Sequence, residues 1–432
     1  MNPIGKGILG IFTDKAYLKN VGYVAIGSAI SQILSIIASP ILANMYSLEA
    51  FGEFGIYSAT LAILMVGCCA RLELAIPLPK AVNDVVKIVK TAILTCLIIS
   101  TIVSVILILL SNFIPHLTGL MILLYSLALP LSGLGIILTI LHNKLGNYKI
   151  SGASKIFQTL FTILFSLGVF YKSSNLGLVY GSIIGQLINS LFLYFNLPQS
   201  LRNRIWTFKI SESQIVWNRY KNFPRKNLIP SLLNSYTTQI PNHFINLIYN
   251  LSSTGLYYFS QRLVSIPLTL VSSSVSEVFY QELIKKKNNK EQIFSFVFQN
   301  LLILGSIGIV FIICCYTLVE PLINVLFESR WSESIQIIKI LSFSIAIKLT
   351  VAPLTMLFIA SEKLRIISLW HIFSFLGITL VSYFAYLFQL KFNEFILTMV
   401  VMDFVLYGSI LALLLKTSIS IDQSELLNLN KK

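Results

Sequence analysis

The chain has 432 residues, of which 56% are hydrophobic and only 11% are charged. A soluble protein carries about 25% charged residues. This composition, with a mean hydropathy of +0.80, therefore excludes a soluble domain and predicts an integral membrane protein. The net charge of +15 does not indicate nucleic-acid binding, because the basic residues gather in alternate short loops, as the positive-inside rule predicts.

Long apolar stretches predict about twelve membrane-spanning helices, since one span needs about 20 mostly apolar residues. The first six are predicted at Val21–Ala43, Phe51–Ala70, Val89–Leu110, Leu117–Leu141, Ile156–Tyr171 and Leu176–Phe195. The other six are predicted at Leu228–Tyr249, Thr254–Ser276, Phe294–Tyr316, Ile335–Ile359, Ile366–Phe388 and Phe395–Leu415. The expected fold class is an all-α integral membrane protein.

Lysine and arginine predict the topology. The N-terminal segment, every second loop and the C-terminal segment are basic, whereas the remaining loops carry only Lys172, Arg330 and Lys391. Both termini are therefore expected in the cytoplasm. The first polar stretch lacks the apolar region of a cleavable signal peptide, so the first span is expected to serve as the insertion signal.

The polar segment near the middle of the chain separates two similar halves. Three residue pairs recur at nearly the same offset: Asn20 with Asn222, Pro40 with Pro241, and Gly52 with Gly255. We expect two six-helix bundles, residues 1–197 and 226–432, joined by a cytoplasmic linker at residues 198–225. Bundles with the same orientation are predicted to be related by an axis along the membrane normal, around a central cavity.

Charged side chains inside predicted spans are the clearest candidates for function. A charge at that depth costs about 2.5–3.5 kcal/mol on insertion scales and needs a partner, a water-filled cavity or an anionic ligand. Arg262 is predicted to bind an anion, with a structural ion pair to Asp403 as the alternative. Lys348 is the second predicted anion-binding residue, since Lys339 lies on the opposite helix face and can reach the outer surface. Asp403 is either a counter-ion or a proton carrier.

Amide side chains on the first span of each half are candidate ligands for sugar hydroxyl groups. They are Gln32, Asn234 and Gln239, and hydrogen bonding between helices is the alternative role of each. The five cysteines and four histidines show no metal-ligand spacing. No metal site is therefore expected, and the cysteines are interpreted as small hydrophobic residues of the membrane interior.

Two segments carry a resemblance to a known family. The stretch RLELAIPLPK at Arg71–Lys80 resembles an R-x-E-x-A-I-x-L-P motif of polysaccharide flippases. These are the O-antigen (Wzx-type) transporters of the multidrug/oligosaccharidyl-lipid/polysaccharide (MOP) superfamily. The segments FPRKNLIPSLLNSYTTQIP from Phe223 and GLYYFSQRLVSIPLTLVSSSVSEVFY from Gly255 resemble the repeat element of that family.

The resemblance also assigns individual residues. Arg71 and Glu73 match the cytoplasmic-loop motif, and Arg262 matches the arginine of a Q-R-L-x-x-x-P string. Lys348 and Asp403 match no family motif and are candidates because of their depth alone. Guanidinium and ammonium groups bind phosphate oxygens, so Arg262 and Lys348 are predicted to hold a diphosphate.

The resemblance implies a transporter of the bacterial inner membrane rather than an enzyme. The implied substrate is a short oligosaccharide on undecaprenyl diphosphate, moved to the outer leaflet during the synthesis of O-antigen, capsule or exopolysaccharide. Membrane lipids, a glycan polymerase and a chain-length regulator are the implied partners, and H⁺ or Na⁺ coupling is the only cofactor expected. A cation-coupled multidrug exporter of the same superfamily and an integral-membrane glycan polymerase or ligase are the alternatives.

Overall fold

The computed structural model describes residues 15–113, 118–170, 175–207, 209–289 and 291–429. Within these ranges the regular structure is helical and no strand occurs, so the predicted all-α fold class is confirmed. The predicted topology depends partly on residues outside the described ranges, namely Lys6, Lys172, Lys290, Lys431 and Lys432. It stays a prediction.

Eight of the described helices lie before residue 221. They are α1 Lys15–Met45, α2 Leu48–Cys68, α3 Val82–Leu110, α4 Gly119–Lys144, α5 Tyr148–Val169, α6 Gly177–Phe195, α7 Gln199–Arg202 and α8 Ile210–Tyr220. The remaining helices are α9 Asn222–Ile248, α10 Leu251–Asn289, α11 Ile293–Leu326, α12 Glu333–Val351, α13 Met356–Ala360, α14 Leu364–Leu387 and α15 Phe392–Leu429. Short 3₁₀ turns at Leu72–Ala75, Ser329–Trp331 and Pro353–Thr355 complete the described elements.

Each of the twelve predicted spans coincides with helix over most of its described residues, and the tenth is divided by the 3₁₀ turn Pro353–Thr355. The predicted end residues Leu117 and Tyr171 lie outside the described residues. Ten helices of the described chain are long and apolar enough to cross a membrane. The two predicted spans outside this set lie on α9 and α10, which are more polar: α9 carries amides such as Asn234 and Gln239, and α10 carries Arg262. The sequence repeat is visible in the helices, since Pro40 and Pro241 both lie near the end of a helix, in α1 and α9.

The chain divides into two compact units. The N-terminal unit comprises Met1–Ala50 and Tyr57–Ser235, and the C-terminal unit comprises Phe51–Ile56 and Tyr236–Lys432. The segment at residues 198–225, predicted as a linker, groups with the N-terminal unit. The domain boundaries drawn from the sequence stay a prediction.

Small residues bring the helices of the N-terminal unit close together. A Cβ atom at Gly27 of α1 would lie 2.4 Å from the carbonyl oxygen of Gly152 in α5, so these two helices cross backbone to backbone. Such close approach is the usual way in which membrane helices pack. Helix α8 contacts α3, where Lys90 and Glu212 form an ion pair at 3.4 Å.

Aromatic packing and one cross-helix cap organise the C-terminal unit. The rings of Phe259 and Trp331 lie 4.3 Å apart, and Phe51 packs against Trp331 at 5.0 Å. The carboxylate of Asp422 in α15 accepts the backbone N–H groups of Ile293 and Phe294 at 2.8 and 3.0 Å. It thereby caps the N-terminus of α11, where the first N–H groups have no partner within the helix.

Candidate functional site

Helices α4, α5 and α6 of the N-terminal unit surround a pocket of about 360 Å³ that has a mainly apolar wall and several polar side chains. Its volume falls at the lower end of the range of about 300–1,000 Å³ that is typical of small-molecule sites. Apolar side chains form part of the wall. Six polar side chains line the remainder: Ser132, Thr139, Lys155, Gln158, Gln186 and Asn189.

Helical spacing directs these polar groups into one pocket. Residues three or four positions apart share a helix face, which places Lys155 with Gln158 on α5 and Gln186 with Asn189 on α6. The hydroxyl of Ser132 donates a hydrogen bond of 2.6 Å to Oε1 of Gln186 and so orients that amide. The pocket wall is therefore partly preorganised by contacts between α4 and α6.

Two groups of the pocket have unused binding capacity. Oδ1 of Asn189 is buried without a hydrogen-bond partner, which is costly unless a ligand or water supplies a donor. A Cβ atom at Gly135 would lie 2.8 Å from Nδ2 of the same Asn189, so the glycine leaves room for the amide. Nζ of Lys155 donates to Oγ of Ser28 at 2.8 Å and has no carboxylate within 4.0 Å in the described chain. The pocket therefore combines one uncompensated positive charge with amide and hydroxyl groups.

In the C-terminal unit, Lys348 has a charged partner. Nζ of Lys348 on α12 lies 2.6 Å from Oδ2 of Asp403 on α15, and the hydroxyl of Ser344 donates to the same carboxylate. The two charged side chains are only 28% and 17% exposed. The ring of Tyr407 lies 6.0 Å from Nζ of Lys348. Asp403 thus acts as a counter-ion to Lys348, a contact that sequence analysis did not predict.

The alternative role predicted for Arg262, an ion pair with Asp403, is not formed within 4.0 Å among the described residues, where the carboxylate of Asp403 binds Lys348. Arg262 lies half-buried on α10, in the same unit, and its guanidinium has no carboxylate within 4.0 Å among the described residues. Lys339 pairs with Glu320 at 2.9 Å, which is consistent with the separate position predicted for it. The role of Arg262 in binding an anion stays a prediction.

The three predicted amide ligands are not brought into one site of either unit. Gln32 on α1 and Asn234 on α9 belong to the N-terminal unit, whereas Gln239 on α9 belongs to the C-terminal unit. Gln32 and Gln239 are half-buried and Asn234 is exposed. Their proposed contacts with sugar hydroxyl groups stay predictions.

The RLELAIPLPK motif forms a partly buried turn between α2 and α3. Ala70 and Arg71 adopt left-handed conformations with φ of 49° and 61°, which reverse the chain direction at the end of α2. Leu72 and Ile76 are then fully buried. The motif therefore has a structural role in shaping this turn.

The two charged residues of the motif form an ion pair within this turn. The guanidinium of Arg71 lies 3.6 Å from the carboxylate of Glu73, whose side chain is 7% exposed. Burial raises the pKa of Glu73 above its ordinary value, and the neighbouring Arg71 opposes that shift. The carboxylate is therefore costly to ionise here, and its second oxygen has no partner.

Sequence analysis missed the pocket of the N-terminal unit. The predicted span Ile156–Tyr171 left Lys155 in the loop before it, whereas helix α5 begins at Tyr148 and carries Lys155 in its second turn. A signal was present: polar residues recur every three or four positions, as Lys155, Gln158 and Thr162 on α5. Such a polar stripe along an otherwise apolar span is typical of a helix that lines a cavity.

The fold is similar to that of solved structures described as transporters of the MOP superfamily. The lipid II flippase MurJ in its inward closed conformation matches with a TM-score of 0.70 at 14% identity, over 94% of this chain and 90% of MurJ. An inward-facing multidrug resistance MATE family transporter matches with a TM-score of 0.65 at 13% identity, over 92% of this chain and 99% of that one. A MOP superfamily transporter from Pyrococcus furiosus matches with a TM-score of 0.62 at 13% identity, over 93% and 95% of the two chains. At these identities the similarity establishes the fold alone.

The family follows from the sequence itself. The model of the polysaccharide biosynthesis protein family matches residues 41–336, more than half of the chain, and the protein belongs to that family. A search of curated proteins gave no match. The resemblance predicted from the RLELAIPLPK and QRLVSIP strings is thereby confirmed at the level of family and fold.

Proposed function

We propose that the protein is a flippase that carries an undecaprenyl-diphosphate-linked oligosaccharide from the cytoplasmic to the outer leaflet by alternating access. The observation that carries the proposal is the match to the polysaccharide biosynthesis protein family in a chain with a transporter fold. The fold is also that of MurJ, a lipid II flippase, which supports a lipid-linked cargo. The protein performs no covalent chemistry in this proposal.

The sugar and the diphosphate of such a substrate need different surroundings. Amide and hydroxyl groups such as Gln158, Gln186 and Ser132 can exchange hydrogen bonds with sugar hydroxyls, and the apolar wall suits the C–H faces of a sugar ring. We assign a sugar residue of the cargo to the pocket of the N-terminal unit, with Lys155 beside it. Within the C-terminal unit, taken by itself, we propose that Arg262 binds a diphosphate group, because an arginine fork binds phosphate oxygens in pairs.

The contact between Lys348 and Asp403 suggests how an ion could be coupled to transport. While Asp403 is ionised, it neutralises Lys348, and an anionic ligand gains little from that lysine. A proton on Asp403 cancels the carboxylate charge and leaves Lys348 available to the diphosphate. Proton uptake and cargo binding would then favour one another, as linked equilibria require. Na⁺ remains the alternative coupling ion.

The alternative functions fit the structure less well. A multidrug exporter for cationic drugs would favour carboxylates along its cavity, whereas the charged residue that lines the described pocket is Lys155. A glycan polymerase or ligase would need an outer catalytic segment. The predicted outer loop Thr317–Ser334 is short, and helix α11 continues through it as far as Leu326.

The proposed setting in the cell follows from the family and the charge pattern. We place the protein in the inner membrane with both termini in the cytoplasm, where its basic loops can attract an anionic lipid carrier. A glycan polymerase and a chain-length regulator would receive the flipped repeat unit on the outer side.

The test is glycan display in cells that depend on this protein. Arg262→Ala should abolish outer-leaflet display of the glycan at normal protein levels, because the diphosphate loses its paired hydrogen bonds. Lys339→Ala is the matched control, since it removes a basic residue that is already paired with Glu320. Near-normal display by the Arg262→Ala protein would refute the assignment of Arg262. Normal display in cells without the protein would refute the flippase function.

A further inference from the structure

Three cysteines of the N-terminal unit converge although they are far apart in sequence. Cys68 ends helix α2, Cys69 follows it, and Cys96 lies on α3. Their sulfur atoms all lie within 4.8 Å of one another, and the Cys68 and Cys69 sulfurs are 3.5 Å apart. At most 2% of any of the three side chains is exposed. Sequence spacing showed no metal signature because the third cysteine comes from a neighbouring helix.

A glycine on a third helix leaves space for this cluster. A Cβ atom at Gly133 of α4 would lie 2.3 Å from the sulfur of Cys96, 3.2 Å from that of Cys68 and 3.5 Å from that of Cys69. All three sulfurs therefore face the position that a side chain at residue 133 would occupy. Helices α2, α3 and α4 together shape a small space bounded by sulfur.

The geometry of the sulfur atoms fits a three-coordinate metal ion. Metal–sulfur bonds of about 2.3 Å in a trigonal arrangement set the sulfurs about 4 Å apart, within the span of this cluster. Soft thiolate ligands select Cu(I) and Zn(II) among the common metals. Zinc in a closed protein site takes four ligands, and no fourth histidine, cysteine or carboxylate joins the three sulfurs within the described chain. Cu(I) is stable with three sulfur ligands.

We infer that Cys68, Cys69 and Cys96 form a binding site for one Cu(I) ion in the N-terminal unit. Each thiol that ligates the ion releases its proton to water, so binding strengthens as pH rises. With the predicted topology, this end of α2 faces the cytoplasm, where thiols are kept reduced. The bound ion would cross-link the end of α2 to α3, next to the turn that contains Arg71, and so reduce the motion of these segments.

The experiment is an anaerobic titration of the purified, reduced full-length protein with Cu(I) in competition with bathocuproine disulfonate. The wild-type protein should bind one Cu(I), and X-ray absorption should show three sulfur neighbours. Cys96→Ser should weaken Cu(I) binding at least tenfold. Mutation of a residue that only hydrogen-bonds to a metal ligand already lowers metal affinity by about 10–100-fold, and loss of the ligand itself costs more. Added Cu(I) should raise the Tm of the wild type and leave that of Cys96→Ser unchanged.

Matched control variants distinguish a specific Cu(I) site from non-specific binding of Cu(I) to thiols. Cys315→Ser removes a buried cysteine of the C-terminal unit and should leave Cu(I) binding intact. Gly133→Ala keeps all three ligands but fills their space and should weaken binding, whereas Gly168→Ala, with open space at its Cβ position, should not.

Three results would overturn the proposal. They are no retained Cu(I) in the wild type, equal binding by the Cys96→Ser protein, and loss of binding in Cys315→Ser. Tighter binding of Zn(II) than of Cu(I) would overturn the assigned metal. Glycan display is not part of this test, so its outcome is separate from that of the proposed flippase function.

Discussion

Each unit holds a lysine within a candidate membrane-spanning helix, but the partners of the two lysines differ. Nζ of Lys348 in the C-terminal unit lies 2.6 Å from the carboxylate of Asp403, whereas Lys155 of the N-terminal unit donates a hydrogen bond to the hydroxyl of Ser28 and lines a pocket. A paired charge belongs to the packing of its helices. A charge with only a neutral partner next to a cavity is open to an anionic or hydroxyl-rich ligand. The contrast therefore distinguishes a structural or switching charge from a binding charge.

The largest expected effect comes from breaking the pair in the C-terminal unit. Lys348→Ala leaves the largely buried Asp403 carboxylate without a counter-charge and should cost about 3–5 kcal/mol. Lys348→Met combined with Asp403→Leu removes both charges and should recover most of that loss. Thermal unfolding of the purified protein in detergent measures both. An equal loss in the double variant would show that packing, and not charge pairing, makes this contact important.

The same pair should control ion coupling. Asp403→Asn cannot carry a proton and leaves Lys348 permanently uncompensated. Transport by this variant should lose its dependence on a pH gradient, measured as glycan display after the gradient is collapsed. An unchanged dependence would remove Asp403 from the coupling mechanism and retain the pair as a structural element only.

A smaller loss of stability is expected when the pocket of the N-terminal unit is partly filled. Gly135→Ala places a methyl group 2.8 Å from the amide nitrogen of Asn189, which must shift. Gly168→Ala on α5 has nothing within 4 Å and serves as the control, since both changes bring the same helix propensity. Relative to this control, Gly135→Ala should lower the free energy of unfolding by about 1–3 kcal/mol and reduce glycan display. Equal stability and display in the two variants would mean that the pocket tolerates filling.

Sequence predicted the helices well and their side-chain contacts poorly, for physical reasons. A run of apolar residues long enough to cross the membrane is a local signal, and the predicted runs are mainly helical over their described residues. The pair of Lys348 and Asp403 depends on the register between α12 and α15, which no local pattern encodes. Lys155 was assigned to a loop because lysines near a membrane edge usually lie there. Only its spacing from Gln158 pointed to a cavity.

The charge of Glu73 is compensated less fully than that of Lys348 but more fully than that of Lys155. The guanidinium of Arg71 lies 3.6 Å from one carboxylate oxygen, and the other carboxylate oxygen has no hydrogen-bond partner. Burial raises its folded-state pKa above the unfolded value of about 4.3. The folded protein then binds this proton more tightly, so its stability falls as pH rises from the unfolded pKa through the folded pKa, by about 1.4 kcal/mol per unit of difference. Glu73→Gln should remove this part of the pH dependence in unfolding experiments. A Glu73→Gln protein with an unchanged pH profile would contradict the assignment.

Substitution of Lys155 should give the smallest change in stability. It is also the most direct test of the difference between Lys155 and Lys348. Lys155→Met leaves no charge without a partner, and the hydroxyl of Ser28 keeps its bond to the carbonyl of Val24 at 2.9 Å. The free energy of unfolding should therefore change by no more than about 0.5 kcal/mol. Glycan display should nevertheless fall, because Lys155 is the one charged side chain among the described residues that line the pocket, and Lys155→Arg should restore part of it. A Lys155→Met protein as unstable as Lys348→Ala would show that both lysines are structural and that the difference between the two units has no bearing on transport.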